Sequence, residues 1–221
     1  TLARAQAVVY RSMGPTPPYA WPLLADALGA EVWVKHENAT PTGAFKVRGG
    51  LVYVERLVRE RPEVSGIVSA TRGNHGQSLA YAGRQHGLPV VIVAPRTNSP
   101  EKNASMVGFG AELILHGEDF QESREHAAIV AAERGYEAVP SYHADLVAGV
   151  ATYAAELFEA AGELDAVFVP IGMGSGVNAV IAVRDLLGLS TEVIGVVSEE
   201  APATALSFEA GHVVSTATAN T

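Results

Sequence analysis

The chain has 221 residues, 48% of them hydrophobic, enough to bury a substantial core as one large domain or two modest lobes. Its 15 Lys and Arg stand against 24 Asp and Glu, a net charge of −9, which excludes broad electrostatic attraction to nucleic acid or an anionic membrane; any anion must be caught locally. The absence of cysteine removes disulfide frameworks, thiolate nucleophiles and Cys-ligated zinc, and fits a reducing compartment.

The opening run TLARAQAVVYRSMGPTPPYAW has no apolar stretch behind a basic start, and no later apolar run is long enough to cross a bilayer, so a cytoplasmic protein is expected. Short apolar runs alternate with longer amphipathic stretches, and Gly, Pro or Asn marks the joins. This is the pattern of repeated β and α units around parallel sheets, so the fold class is α/β. Residues 32–34 are a predicted strand and 47–57 a predicted helix stopped by Pro62, which leaves Lys46 at a loop-to-helix junction. Next come a strand at 66–69, a helix at 75–85 closed by Gly87, and a strand at 90–94. A helix at 101–107, a strand at 112–115 and a helix at 120–134 complete a first lobe, whose boundary falls near His143. A helix at 146–161, a buried strand at 166–170, a helix at 176–187 and a strand at 193–197 then form a different sheet. From Ala201 the periodicity fades into the Ser/Thr/Ala-rich VVSTATANT, a frayed or truncated end.

Three constellations carry candidate chemistry. The first joins Lys35, His36, Glu37 and Asn38 to the segment PTGAFKVRGG. A lysine held between Phe45 and Val47 is partly desolvated there, which lowers its pKa and frees Lys46 for imine chemistry; the alternative is a surface lysine on a first helical turn. The second is SATRGNHGQ at a strand-to-helix turn. Free amides at the helix start, with Thr71, Arg72 and Asn74 as donors, suit a carboxylate or phenolate oxygen. The alternative is an ordinary cap by Asn74, with His75 structural. The third is PIGMGSGVN, again between strand and helix. Its glycines let the backbone approach a phosphate at the helix start, or else serve close helix–strand packing.

In this order and spacing, PTGAFKVRGG, GNHGQ and GMGSG resemble the fold-type II pyridoxal-phosphate family of threonine and serine dehydratases, from Lys35 to about Glu199. The resemblance implies two lobes of the tryptophan synthase β-like kind, each an open parallel twisted sheet with flanking helices. Residues 1–45 and 144–221 would form the large cofactor-binding lobe, incomplete at its C-terminus, and 46–143 the small one. It implies that Lys46 holds pyridoxal 5'-phosphate as a Schiff base, that Phe45 packs on the pyridine ring, and that Asn74 bonds the ring hydroxyl. The phosphate falls to the amides of Gly172, Met173, Gly174, Ser175 and Gly176. The substrate carboxylate falls to Thr71, Gly73, Asn74 and His75, with Arg72 placed to grip a second substrate anion. The implied protein is a cytoplasmic ammonia-lyase, a homodimer or higher homo-oligomer, acting on a small amino acid such as L-threonine or L-serine, with no nucleic-acid or membrane partner.

Arg72 departs from the serine that serves as second base in the serine racemases, which ranks racemisation below elimination. Relatives place a Ser, Thr or Cys beside the pyridine nitrogen in a later segment. Ser198, Glu199 and Glu200 do not reproduce the family's metal-binding acids, so no required metal is expected. Threonine synthase, diamino-acid ammonia-lyase, and hydroxyaspartate or phenylserine dehydratase are alternatives within the family. Outside it stand a non-catalytic cofactor-binding protein and a dinucleotide-dependent oxidoreductase. The latter is suggested by Gly172, Gly174, Gly176 and Glu199 but opposed by Val177, where its fingerprint wants glycine.

Overall fold

The structure, a computed structural model, describes residues 1–216. Helix α1 (Leu2–Val9) precedes strand β1 (Pro18–Ala20), helix α2 (Pro22–Leu28), strand β2 (Trp33–Lys35) and a single 3-10 turn at Glu37–Ala39. Helix α3 (Lys46–Glu60) leads into β3 (Ile67–Ala70), α4 (Asn74–Gln85), β4 (Val90–Ala94), α5 (Pro100–Gly108), β5 (Glu112–Leu115), α6 (Phe120–Arg134) and β6 (Glu137–Ala138). Helix α7 (Ala144–Ala161), β7 (Ala166–Pro170), α8 (Ser175–Leu187), β8 (Glu192–Val196) and α9 (Ala203–Ala210) follow.

The central sheet is parallel throughout, in the order β5-β4-β3-β6. β3 and β4 are short runs rich in Val and Ile, buried along their whole length because helices cover both faces. Ile67, Val90 and Ile92 share a core with Val47, Leu51 and Leu79, whereas Val68, Val91 and Val93 face Val130 and Ala131 of α6. Asp119 starts α6 by accepting the Glu122 amide at 2.9 Å, and Ser99 starts α5 by accepting that of Lys102.

β7 and β8 pair in parallel as a separate two-stranded sheet, and β1 pairs antiparallel with β2. The expectation of a buried strand at 166–170 is corrected here, since only Val169 is buried and Phe168 is 68% exposed. β7 has one strand neighbour, β8, and its residues also line a cavity of about 750 Å³ shared with β2. Helix α9 occupies part of the region expected to lose its periodicity, though none of its residues is buried; residues 217–221 of the expected frayed end lie outside the described residues.

Helix α3 ties the sheets together, because glycines let its neighbours come unusually close. A Cβ on Gly50 would collide with Ser78 of α4, one on Gly149 of α7 with the Arg48 carbonyl, and one on Gly49 would stand 2.7 Å from the Leu146 carbonyl oxygen. The first turn of α3 is thereby held between α4 and α7. Both β3 and β7 end in a short loop that opens the next helix, so each turns that helix's N-terminus toward the C-terminal edge of its sheet.

Candidate active site

The chain has three lysines, and the structure puts them in three different situations. Lys35 is buried and ion-paired with Glu156 at 2.6 Å. Lys102 is exposed. Lys46, the first residue of α3, is half-buried with neither an ion pair nor a side-chain hydrogen bond among the described residues. Its Nζ lies 5.8 Å from the centroid of the Phe45 ring, and burial pulls its pKa below the ordinary lysine value. Its surroundings make the charged form less favourable than it is in water.

Lys46 is delivered by two anchors. Ser78 Oγ donates to the Lys46 carbonyl at 2.6 Å. Two residues on, Arg48 is 0% exposed, with its guanidinium on Glu37 at 2.7 Å and Glu156 at 2.6 Å, and on the hydroxyls of Thr16 and Thr152. Lys35 completes the cluster by bonding Glu156 and Thr16. Two cations face two carboxylates, so the buried network is balanced. Burial pushes the Glu156 carboxyl up, but the Arg48 and Lys35 hydrogen bonds outweigh it and hold it below the usual range. Lys35, Glu37 and Arg48 belong to the first sequence constellation, but their partner Glu156 lies 108 residues beyond Arg48, and nothing local in the sequence announces it.

The β3–α4 junction lies beside this lysine. Thr71 is buried and accepts the Gly73 amide at 3.1 Å; Gly73 sits at the N-cap without any side-chain cap bond. The alternative reading of Asn74 as a helix cap is thus corrected: Asn74 is already the first helical residue, exposed, with its amide group unbonded among the described residues. His75 is 6% exposed. The Pro140 backbone takes its one hydrogen bond, and Nε2 is buried with no partner. Burial first, and the nearby Lys46 cation second, push its pKa down to about 3, so the ring is neutral and offers Nε2 as an acceptor. Arg72 is exposed and unpaired among the described residues.

The β7–α8 junction approaches from the other side. Gly174 is at φ 91°, a left-handed conformation that favours glycine, and α8 begins immediately after it. Among the described residues, nothing accepts a hydrogen bond from the amides of residues 172–177, while the next amide, Asn178, bonds the Gly174 carbonyl. Gly172 and Met173 are exposed, Met173 at 57%; Ser175 and Gly176 are buried. A Cβ on Gly176 would stand 3.6 Å from Phe45 Cζ and 3.5 Å from the Tyr153 hydroxyl, which donates to the Gly176 carbonyl at 3.3 Å. The Phe45 and Tyr153 rings pack with centroids 5.9 Å apart. Tyr153 escaped the sequence reading because it is one aromatic among the apolar positions of a long helix.

The structure therefore brings Phe45 to the glycine turn at Gly176, and joins its neighbour Lys46 to α4 through Ser78 and His75. The cavity of about 750 Å³ opens on Phe45 and Tyr153 without including Lys46 or the loops of residues 71–75 and 172–176. None of the chain's 24 acidic residues falls in residues 41–50, 69–78 or 170–178, so the three segments bring no carboxylate of their own. An unpaired desolvated amine, a row of free amides at a helix start, and a buried acceptor without a partner fit an aldehyde that carries a phosphate. Among the described residues no three His, Cys, Asp or Glu gather as a metal site, and no helix is long and apolar enough to cross a membrane.

Comparison with known proteins agrees with this fit. The family profile described as "Pyridoxal-phosphate dependent enzyme" matches residues 9–221. The L-threonine dehydratase biosynthetic IlvA of Salmonella typhimurium is 33% identical over 210 residues, covering 95% of this chain and 41% of that protein. The L-threo-3-hydroxyaspartate ammonia-lyase of Saccharomyces cerevisiae is 34% identical over 200 residues, covering 90% of this chain and 61% of that protein. The chain thus spans about two fifths and three fifths of the length of these relatives. Among solved structures, a pyridoxal 5'-phosphate-dependent aspartate racemase superposes with a TM-score of 0.92 at 25% identity, over 98% of this chain and 67% of that one.

Proposed function

The chain belongs to the pyridoxal-phosphate dependent enzyme family, and from that premise we propose that it eliminates water from a β-hydroxy-α-amino acid, L-serine and L-threonine being the simplest, to give a 2-oxo acid and ammonia. The observation that carries the reading is the situation of Lys46: an unpaired, desolvated amine one residue from the ring that touches the glycine turn. When bound, the cofactor supplies a ring that accepts the electron pair left at the substrate Cα.

This chain's own residues do the rest. Lys46 Nζ would hold the cofactor and would serve as the base that takes the substrate Cα proton. Phe45 sits on one side of the ring, and Asn74 offers its free amide to the ring hydroxyl. The unbonded amides from Gly172 through Gly176 take the phosphate, including those of Met173, Gly174 and Ser175, with the α8 dipole behind them. The substrate carboxylate lies on the α4 start, where Thr71 can donate its hydroxyl and Gly73, Asn74 and His75 frame the pocket. The His75 ring, neutral and accepting at Nε2, takes a hydrogen from the substrate hydroxyl or amine rather than meeting a carboxylate. In this reading residues 46–143 form a small lobe, residues 1–45 and 144–221 a large one, and the active site lies between them.

Threonine and serine dehydratases remove water from those two amino acids, and the relatives above keep the question of substrate open between threonine and hydroxyaspartate. The test is release of ammonia and 2-oxo acid from L-serine and L-threonine by the cofactor-loaded protein. Turnover is expected from the native chain and none from Lys46→Ala; retention of full activity by Lys46→Ala removes the proposal.

A further inference from the structure

We propose that the cavity beside β7 is the seat of a further β-strand: an extended polypeptide segment from outside these 221 residues that pairs with β2 on one side and β7 on the other. Every residue of 30–35 and of 163–170 lines this space of about 750 Å³. A strand that offers a face shows alternate residues, because successive side chains point to opposite sides; an unbroken run of lining residues marks an edge. The backbone bonds agree. On β2, the Val32 carbonyl accepts the Trp21 amide and the His36 amide donates to the Pro17 carbonyl, so residues 32, 34 and 36 face β1 and the backbone groups of Trp33 and Lys35 point away from it. On β7, the Asp165 carbonyl accepts the Glu192 amide and the Ile171 amide donates to the Val196 carbonyl, so the odd residues face β8 and Ala166 and Phe168 point to the open edge. None of the amides of Trp33, Lys35, Ala166 and Phe168 has an acceptor among the described residues.

The size of the space fits one strand. A strand of the same length as β7, 5 residues, takes up on the order of 800 Å³, from the rise per residue and the spacings between strands and between packed sheets. Helix α7 supplies an apolar stripe to it, with Tyr153, Leu157 and Ala161 at every fourth position lining the cavity. Both walls rest on that helix, β2 through the 2.6 Å pair of Lys35 with Glu156, and β7 through Val167 and Val169, which share a cluster with Tyr153 and Phe158. The seated segment therefore carries apolar side chains at alternate positions, toward α7, and no proline where its backbone meets the two edges. Relatives have chain to spare for it, since the superposed aspartate racemase is covered over only 67% of its length. A second copy of this chain does not fit, because every strand among the described residues is already tied along at least one edge, whereas the slot bonds its occupant on both. Phe45 lines the same space, so the segment also closes one side of the residue next to Lys46.

The test is amide hydrogen exchange on the full chain, alone and with overlapping synthetic peptides that span the part of the aspartate racemase this chain does not cover. Alone, the amides of Trp33, Lys35, Ala166 and Phe168 are expected to exchange freely while those of Val34, Val167 and Val169, bonded within their sheets, are protected. One subset of peptides is expected to slow the four edge amides about ten-fold or more and to leave the other three as they were. Ala166→Pro removes an idle donor at the first residue of β7, where proline is tolerated, so it should leave the urea midpoint of the chain unchanged and weaken that peptide's binding about ten-fold. Phe168→Pro repeats the measurement at the next idle amide. Edge amides already protected in the dilute chain, protection that appears only as the chain concentration rises, no protection by any peptide, or full peptide affinity in both proline variants overturns the proposal. A second copy of the chain is the occupant in the second of these outcomes.

Discussion

The two strand-to-helix junctions next to the Phe45–Lys46 segment share one plan and differ in what they show to a ligand. At β3–α4 the loop presents side chains: a buried threonine, an exposed arginine, a free asparagine and a buried histidine with an idle acceptor. At β7–α8 the loop presents backbone, with amides from residue 172 to 177 that have no acceptor among the described residues and a glycine at φ 91°. A backbone cradle grips any phosphate but cannot tell one side chain from another, whereas a side-chain cradle can be re-specified one residue at a time. On the proposed reading the phosphate suits the backbone junction, and the substrate the junction whose side chains can be changed one at a time.

The comparison presupposes a common frame, and the largest expected effect comes from removing it. Glu156→Ala leaves Arg48 and Lys35 buried without their shared carboxylate, and a loss of about 3–5 kcal/mol in urea-unfolding stability is expected; a loss under about 1 kcal/mol contradicts the role given to the network. The next contrast comes from giving side chains to the two junction glycines. Gly174→Val forces a branched residue into a left-handed conformation at a cost of about 1–3 kcal/mol and should weaken cofactor binding about ten-fold or more, measured by titration of the apo-protein. Gly73→Ala sits in extended backbone and meets only the flexible stem of Lys102, so its cost should stay below about 1 kcal/mol and its effect should fall on substrate. Equal effects of the two changes on cofactor affinity would erase the distinction.

A further contrast is one of pH. His75 in the folded chain has a pKa of about 3 against an ordinary value of 6.5, so between those values the unfolded chain binds a proton that the folded chain refuses. Its contribution is therefore full above about pH 6.5 and declines as pH falls toward 3, amounting to about 2 kcal/mol between pH 7 and 5. In His75→Gln the fall in urea midpoint between those two pH values should be smaller than in the native chain. An unchanged fall means that the ring is not held neutral by burial.

Much of this was legible in the sequence, for identifiable reasons. β3 and β4 are Val- and Ile-rich runs buried on both faces, and α6 lies between Asp119 and Gly135, so local signals and tertiary structure agree. The lysine segment declared itself because Phe45 and Val47 flank a charge that has no other reason to be there. Less visible were elements held by partners instead of by their own residues: α1, α2, the three-residue β1 that exists by pairing with β2, and the two-residue β6 that pairs with β3. The support of the site was hidden for the same reason. Ser78, Gly149, Tyr153 and Glu156 act on residues 45–50 across gaps of some 30 to more than 100 positions, and nothing in their own surroundings marks them. The exposed face of β7 departed from the run of apolar residues that suggested a buried strand, because half of that strand's surroundings is cavity.

The central claim is that Lys46 alone among three lysines can bond an aldehyde held at the glycine turn. Borohydride reduction of the cofactor-loaded protein, followed by peptide mapping, tests it directly. The account predicts a label on the peptide containing Lys46 and none on those of Lys35, which is ion-paired in the buried network, or Lys102, which is exposed on α5. A label on either of those two, or no label at all, contradicts it.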